Sequence, residues 1–419
     1  MGSFQLRIVR DPSPEAWSRV QRYASWMRHV HMDGWFALGD DALTKFRLNT
    51  PVDGWFPVVH DLFWRITELN LPYLDLFFSP HLKKISIFPS LSWSYYDVPR
   101  GILLAIASAL STLPTSALQT LLISPMMAWA DLEDAISSVA LRCGPSLMEF
   151  IPPTPLSDAA TNHLIQLPHL RSWHVEGPPP TYSPSPLPLV FPPLTEFTLA
   201  DNAAHKWFSL FERLERGAPA TQGTGPLSKT KETLETLEVM NFLDSIIDVS
   251  FVSTIKIFRN LVRLRVGGYC YNIHDEGQCT FKLNDDDVTE LAMALPHLES
   301  LLLGHPCFEN TCATTVACLL PVSVRCVKLQ QLEIHFNTTN IVDDFKNALA
   351  DPRPQESRPP PRCTLSCLDV SQIPLTLDEP GFETVANGMI DIFPDLESIA
   401  GGGRAWARVS RRIAELREI

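Results

Sequence analysis

Residues 295–305 read LPHLESLLLGH. Similar phrases stand at 167–177 (LPHLRSWHVEG) and at 393–403 (FPDLESIAGGG). In the phrase at 295–305, Leu298 is followed by apolar residues at Leu301 and Leu303. Alternate residues of an extended strand point to the same side, so Leu301 and Leu303 share one face. The phrase therefore predicts a short strand whose apolar face needs neighbouring units to cover it.

The same spacing recurs along the chain: a Leu or Ile, an apolar residue three positions later, and another two positions after that. Thirteen starts fit it: Leu43, Ile66, Leu82, Leu118, Leu147, Leu170, Leu194, Leu234, Leu261, Leu298, Leu329, Leu365 and Leu396. Their mean spacing is about 29 residues. Six starts have a Pro two residues earlier, which ends a preceding helix because Pro lacks a backbone N–H and disfavours helical geometry before it.

Segments with helical periodicity occupy the gaps between these strands. The clearest begins at Asn284 or Asp285, either of which is a good helix cap, and carries acidic residues in its first turn. Its apolar residues share one face: Val288, Leu291, Ala292 and Leu295. Further helices are predicted within 101–114, 126–144, 157–168, 205–217 and 343–351. Each repeat is thus one strand and one returning helix.

We expect one α/β solenoid domain of irregular strand–helix units with a helical cap at each end. Residues 1–40 form the N-terminal cap, with a helix that opens at Ser13-Pro14-Glu15 and runs to about Val30. The predicted array takes 41–403, and the amphipathic segment 404–419 is the C-terminal capping helix. Loop insertions rich in Pro, Gly or polar residues are predicted at 177–193, 217–232 and 351–362.

Composition excludes several classes of protein. The formal net charge of −13 argues against nucleic acid as a partner, since phosphates require clustered Lys and Arg. Two arginine-rich segments, 1–32 and 404–417, are interpreted as solvated faces or as pairing sites for acidic neighbours. The most apolar run, 101–114, is shorter than the roughly 20 residues of a membrane span, so no membrane partner is expected. Nine scattered Cys without a secretory leader indicate reduced thiols in the cytoplasm or nucleus.

Catalytic and metal-binding motifs are absent from the sequence. It contains no G-x-S-x-G, Walker, H-E-x-x-H or G-x-G-x-x-G motif, so we predict neither enzymatic activity nor a cofactor. A zinc site could be assembled from thiols and imidazoles of two loops: Cys270, His274, Cys279, His305 and Cys307. The paired C-x-x-C spacing typical of zinc sites is missing, and the prediction is no metal. The run Asp285–Asp287 is assigned to a helix start.

The strand residues that face away from the core are the candidate binding site. In successive repeats the middle outward position holds His174, Thr198, Glu238, Arg265, Leu302, Glu333 and Asp369, flanked by Glu176, Arg263 and His335. Such residues line up from unit to unit on the concave face of a curved array, where solenoids bind partners. We predict that this row recognises a polar segment of a protein. The alternative is that Glu238 and Arg265 merely pair with each other across neighbouring strands.

The strand–helix units resemble the α/β solenoid, or horseshoe, of leucine-rich-repeat proteins. A narrower resemblance lies at the ends. RDPSPEAWSRVQRYASWMRHV (10–30) and IFPDLESIAGGGRAWARVSRRI (392–413) are similar to segments of the F-box/leucine-rich-repeat proteins of mushroom-forming (basidiomycete) fungi. The resemblance implies substrate recognition for an SCF-type ubiquitin ligase, although no F-box-like segment, the docking module for the ligase adaptor, is found in this sequence. Either the F-box lies upstream, in which case the SCF adaptor is an expected partner, or this member of the family has lost it. The alternative is a free-standing interaction scaffold with no ligase link.

Overall fold

The computed structural model describes most of the chain: residues 4–6, 12–32, 36–38, 40–49, 55–67, 70–89, 100–124, 132–179, 191–200, 204–216, 228–241, 248–268, 282–304, 312–350, 363–370, 373, 375–401 and 403–418. The chain forms two compact units, residues 1–194 and 195–419. Within these described residues, no helix combines the length and apolar character required to span a bilayer.

The first unit is a parallel sheet with helices on the return paths. Its elements are β1 (Phe4–Leu6), α1 (Pro14–Ala24), β2 (His29–Met32), β3 (Phe36–Leu38), α2 (Asp40–Leu48), β4 (Asp61–Ile66), a 3₁₀ helix (Leu71–Phe77), β5 (Lys84–Pro89), α3 (Arg100–Ser111), β6 (Thr120–Ile123), α4 (Glu133–Arg142), β7 (Glu149–Ile151), α5 (Asp158–Ile165) and β8 (Ser172–Val175). The sheet runs in the order β2-β4-β5-β6-β7-β8, while β1 and β3 pair separately.

The second unit repeats the same plan. Its elements are β9 (Glu196–Ala200), α6 (Ala204–Arg216), α7 (Ser228–Thr233), β10 (Thr236–Asn241), α8 (Val249–Ile255), β11 (Arg263–Gly268), α9 (Asp285–Ala294), β12 (Ser300–Leu303), a 3₁₀ turn (Val316–Cys318), α10 (Leu319–Arg325), β13 (Gln331–Ile334), α11 (Ile341–Leu349), β14 (Cys367–Asp369), α12 (Glu379–Ile392), β15 (Ser398–Ala400) and α13 (Gly403–Arg417). Strands β9 to β15 pair in chain order, all parallel.

The repeated phrase sets the register of these strands. Leu301 of β12 lies opposite Leu264 of β11 and Leu332 of β13, and all three side chains are at most 2% exposed. A continuous apolar ladder therefore runs beneath the sheet of the second unit. Eleven predicted starts precede observed strands: Leu82, Leu118, Leu147, Leu170, Leu194, Leu234, Leu261, Leu298, Leu329, Leu365 and Leu396. The predicted α/β leucine-rich-repeat architecture is confirmed in each unit.

Two predicted starts are wrong. Leu43 is buried inside helix α2, and Ile66 is the last residue of β4. The first strands of the sheet, β2 and β4, instead begin their repeats at Met27 and Val59, which carry apolar residues at the expected later positions. Met and Val fill the position that Leu takes in the other repeats, so a search for Leu or Ile passes over them. The predicted N-terminal helix also stops earlier than expected, since α1 ends at Ala24 and Val30 belongs to β2.

The predicted helices between strands are confirmed where the structure describes them. Asn284 accepts a hydrogen bond from the backbone N–H of Asp287, and the Asp287 carboxylate accepts one from the N–H of Asn284. This capping box starts α9 at Asn284, one of the two predicted cap residues. Of the predicted loops, residues 180–190, 217–227 and 351–362 lie outside the described residues. The predicted end of the second loop is wrong, because residues 228–233 form helix α7.

Gly304, the glycine of the opening phrase, allows the close approach of two repeats. Its φ is +106°, a conformation that side chains with a Cβ disfavour. A Cβ built on it would lie 2.7 Å from the Cβ of His335 in the next repeat. The backbone N–H of His335 donates to the carbonyl of Leu303 at 3.0 Å. Glycine is therefore required at this position both by the positive φ and by the close approach of His335 in the next repeat.

The C-terminal helix α13 closes the second unit. Trp406 is fully buried there and its indole N–H donates to the carbonyl of Ile373 at 3.0 Å. Arginines on the exposed side of α13 reach carboxylates of α12: Arg408 contacts Glu379, and Arg412 contacts Glu383 at 2.8 Å. The expectation that this arginine-rich segment pairs with acidic neighbours is confirmed for these residues.

Candidate functional site

The outward side of the second unit carries the row of polar residues that the sequence predicts. The term outward row is used here for six residues: Thr198, Glu238, Arg265, Leu302, Glu333 and Asp369. Each member lies opposite the next in the register of β9 to β14, so they follow one line across the sheet. Adjacent strands are about 4.8 Å apart. The row therefore presents one side chain per strand at regular intervals.

The outward row alternates with the buried ladder and is open to solvent. Arg265 and its strand neighbour Arg263 are exposed, and Glu238, Leu302 and Glu333 are partly exposed. The core residues between them, such as Leu264 on the same strand as Arg265, are buried. This alternation is what a strand with one face on the core requires. Both arginines are free to face a partner.

The charges along the outward row interact. Partial burial raises the pKa of Glu333, and the nearby carboxylate of Asp369 raises that pKa further, while the guanidinium of Arg265 lowers it. The carboxylates of Glu333 and Asp369 therefore repel each other when both are ionised. A cationic group placed beside these two carboxylates would relieve their repulsion.

The predicted residues in the first unit do not present an open surface. His174 is only 8% exposed, and its Nε2 lies 3.6 Å from Oε1 of Glu176, whose side chain is 17% exposed. The small cavity beside them has a volume of about 10 Å³, room for one water molecule at most. The outward position of His174 in the strand pattern is thus covered by the surrounding chain, including Pro152 and Leu156.

His335 is likewise mispredicted as a surface residue. It is 5% exposed because it packs over Gly304 of the preceding repeat. Of the eight predicted site residues, the structure brings five together on an accessible face of one unit: Glu238, Arg263, Arg265, Glu333 and Asp369. Their role in binding remains a prediction.

An aromatic strip on the outward side of the first unit was missed by the sequence reasoning. The ring of His31 stacks on Phe63 with centroids 4.2 Å apart, and Phe63 stacks on Phe88 at 5.0 Å. Next to them, His29 Nδ1 lies 2.7 Å from an Asp61 carboxylate oxygen. These residues belong to β2, β4 and β5, and the wrong starts at the N-terminal end hid their alignment. The signal was present in the repeats that begin at Met27 and Val59.

Metal and thiol chemistry have little support in the described residues. Among them, no group of three or more His, Cys, Asp or Glu side chains is arranged to hold a metal ion. The five residues weighed as a zinc site all lie outside the described residues. Burial raises the pKa of the Cys143 and Cys326 thiols to about 12 and that of Cys363 to about 11. Such thiols are protonated and unreactive at neutral pH.

Two residues of the acidic run 285–287 have structural roles. Asp287 completes the capping box of α9. The Asp285 carboxylate accepts hydrogen bonds from the backbone N–H and the hydroxyl of Thr315 in the next repeat, at 2.6 and 2.7 Å. Two of the three acids therefore hold α9 and tie it to its neighbour, as the assignment to a helix start predicts.

Comparisons with known proteins give only distant likenesses. No protein-family model and no curated protein matches the sequence. One similar solved structure is a chain of the Rad7 and Elc1 complex in yeast, with 14% identity, a TM-score of 0.41, and coverage of 93% of this chain and 83% of that chain. Another is an internalin from Listeria monocytogenes, with 12% identity, a TM-score of 0.29, and 80% of each chain covered. At such TM-scores these likenesses carry no argument about function.

Proposed function

We propose that the protein is a non-catalytic recognition module that binds a segment of another protein along the outward row of its second unit. The observation that carries this proposal is the accessible line of charges of both signs from Glu238 through Arg265 to Glu333 and Asp369. A regular set of parallel strands holds these side chains at fixed intervals, so a partner meets a preorganised surface.

The row suggests the chemistry of its partner. Arg263 and Arg265 provide guanidinium groups that can hold a carboxylate in a bidentate pair. Glu333 and Asp369 favour a Lys or Arg, because a cation relieves their mutual repulsion. Leu302 stands between the two charge types and offers an apolar contact. The partner segment would thus present an acid, an apolar residue and a base in that order.

The spacing of the strands sets the spacing of the partner's charges. Arg265 and Glu333 are two strands apart, which is roughly 10 Å. In an extended peptide, this distance corresponds to about three residues. We therefore infer an extended segment whose acidic and basic side chains are about three positions apart.

Substrate recognition for an SCF-type ubiquitin ligase is the finer proposal. It is supported by the resemblance of segments 10–30 and 392–413 to the F-box/leucine-rich-repeat proteins. The alternative, a free-standing scaffold, uses the same surface without the ligase. Both assign the target-binding role to the outward row, and they differ only in whether a ligase adaptor joins the complex.

An affinity pull-down from an extract of the source cells tests both levels of the proposal. The bait variants are the wild type, Arg263→Glu/Arg265→Glu, and a control of equal charge change, Arg259→Glu/Lys328→Glu, whose residues are exposed in turns. We expect the row variant to lose proteins that the wild type and the control retain. An unchanged set of proteins would contradict the role of the row.

The same experiment separates the ligase from the scaffold. Recovery of a ligase adaptor and a cullin with the wild type supports the ligase link. Recovery of row-dependent partners without them supports the scaffold. Because the adaptor does not bind through the outward row in this proposal, its recovery should be equal with all three baits.

A further inference from the structure

Helix α1 carries a stripe of basic and aromatic residues on the side that faces away from its own unit. Arg19, Arg22, Tyr23 and Trp26 are separated by three, four and seven positions from the first, a spacing that aligns side chains along a helix and its adjoining turn. The other side of α1 faces the unit. There Trp17 packs against Phe46 and Trp55, with ring centroids 5.6 and 5.4 Å away.

The aromatic residues of this stripe are unusually exposed. Tyr23 is 64% exposed, Trp26 is 65% exposed, and the adjacent Met27 is 42% exposed. The two rings contact each other edge to face with centroids 5.8 Å apart. Large apolar side chains clustered on a surface mark an interaction site, and Trp, Tyr and Arg dominate the binding energy of protein interfaces.

The arginines of the stripe have no partners in the described chain. No described residue forms an ion pair with Arg19 or Arg22. The contrast with α13 is informative, because its Arg408 and Arg412 reach carboxylates of the neighbouring helix. Arg408 and Arg412 thus stabilise the fold, whereas Arg19 and Arg22 of α1 are exposed and can bind an acidic group of a partner.

We propose that this stripe is a docking site for an acidic amphipathic helix of a partner protein. The occupant's apolar side chains would cover Tyr23, Trp26 and Met27, and its carboxylates would pair with Arg19 and Arg22. A helix fits because the stripe is narrow and follows the axis of α1, so two helices can pack along it. The site lies on α1 of the first unit and is independent of the outward row of the second unit.

Selection from a phage-displayed library of random peptides tests the proposal on the full chain. The target is the wild type, and the counter-target is Tyr23→Ala/Trp26→Ala. The mutated side chains are exposed, so both proteins should melt at the same temperature, which circular dichroism checks. We expect the selected peptides to be acidic, with apolar residues at helical spacing.

Affinities of one selected peptide then separate charge from shape. Arg19→Glu/Arg22→Glu should weaken its binding at least about tenfold, whereas Arg19→Lys/Arg22→Lys should retain most of it. Leu104→Ala, at a residue 58% exposed on α3, is the control and should leave affinity unchanged. The stripe assignment is overturned if no peptide discriminates target from counter-target. It is also overturned if the selected peptides are basic, or if single-stranded DNA binds the wild type but not Tyr23→Ala/Trp26→Ala. A dimer of the wild type in sedimentation that this variant does not form would overturn it as well.

Discussion

Leu301 and Leu302 are consecutive residues of strand β12 that face opposite sides of the sheet. Leu301 is 1% exposed beneath the sheet, and Leu302 is partly exposed in the outward row. Truncating each to Ala removes the same atoms from two different environments. The pair is therefore a matched test of which side of the strand builds the core.

The expected magnitudes differ widely. Leu301→Ala loses the transfer free energy of a buried side chain and leaves a cavity, which together lower the free energy of unfolding by about 3 kcal/mol. Leu302→Ala should lower it by only about 1 kcal/mol, because its side chain is partly exposed and its removal leaves no enclosed cavity. Guanidinium unfolding followed by circular dichroism measures both, and the Leu301 variant should shift the midpoint downward by roughly 0.5–1 M relative to wild type.

Equal losses for the two variants would refute the register of β12, and a larger loss for Leu302→Ala would reverse it. Leu301→Asp sharpens the contrast, since it would bury a charge without a partner and prevent folding. Leu302→Asp should still fold, because the side chain at this position is partly exposed and its carboxylate can reach water. A cooperative, wild-type transition for Leu301→Asp would overturn the repeat assignment.

Three further predictions follow from the repeats. Gly304→Ala should destabilise the protein by at least about 1–2 kcal/mol, because Gly304 has a positive φ and an added Cβ would clash with the next repeat. Gly101→Ala should instead stabilise the protein by roughly 0.5–1 kcal/mol, because Gly101 lies in a helix with open space around it. Thermal melting of the two variants compares these effects. Alkylation of the native protein at neutral pH, mapped by mass spectrometry, should modify the partly exposed Cys367 before the buried Cys326, and equal rates would contradict the packing. Because the folded-state pKa of Glu333 is raised, its ionisation lowers stability as the pH rises through that pKa, so Glu333→Gln should melt higher than wild type at pH 7 and no higher at pH 4; a gain at pH 4 as large as at pH 7 would contradict this linkage.

The repeating core could be predicted from the sequence because its physical requirement is local. A strand with one buried face needs apolar residues two positions apart, and the triplet starting at Leu298 meets this need within a few residues. The same search failed at Met27 and Val59, since the first position of a repeat tolerates other apolar side chains. The requirement is for apolar volume, and a pattern written in Leu and Ile describes only part of it.

The candidate site was less predictable because exposure depends on more than one strand. The strand pattern placed Arg265 and Glu333 on the outward side, and the register confirms that placement. It also placed His174 and His335 there, yet both are buried by neighbouring segments. The covering segments, residues 152–156 for His174 and Gly304 for His335, belong to the preceding repeats, so alternation within one strand could not reveal them.

Site-specific photo-crosslinking tests the central claim most directly. A photoreactive phenylalanine analogue placed at Leu302, in the middle of the outward row, would react only with molecules that lie on that face. The control position is Met293, which is 60% exposed on helix α9 of the same unit. In an extract of the source cells, we predict a discrete protein adduct from Leu302 and none of that mass from Met293. The same adducts from both positions, or none from Leu302, would contradict recognition by the outward row.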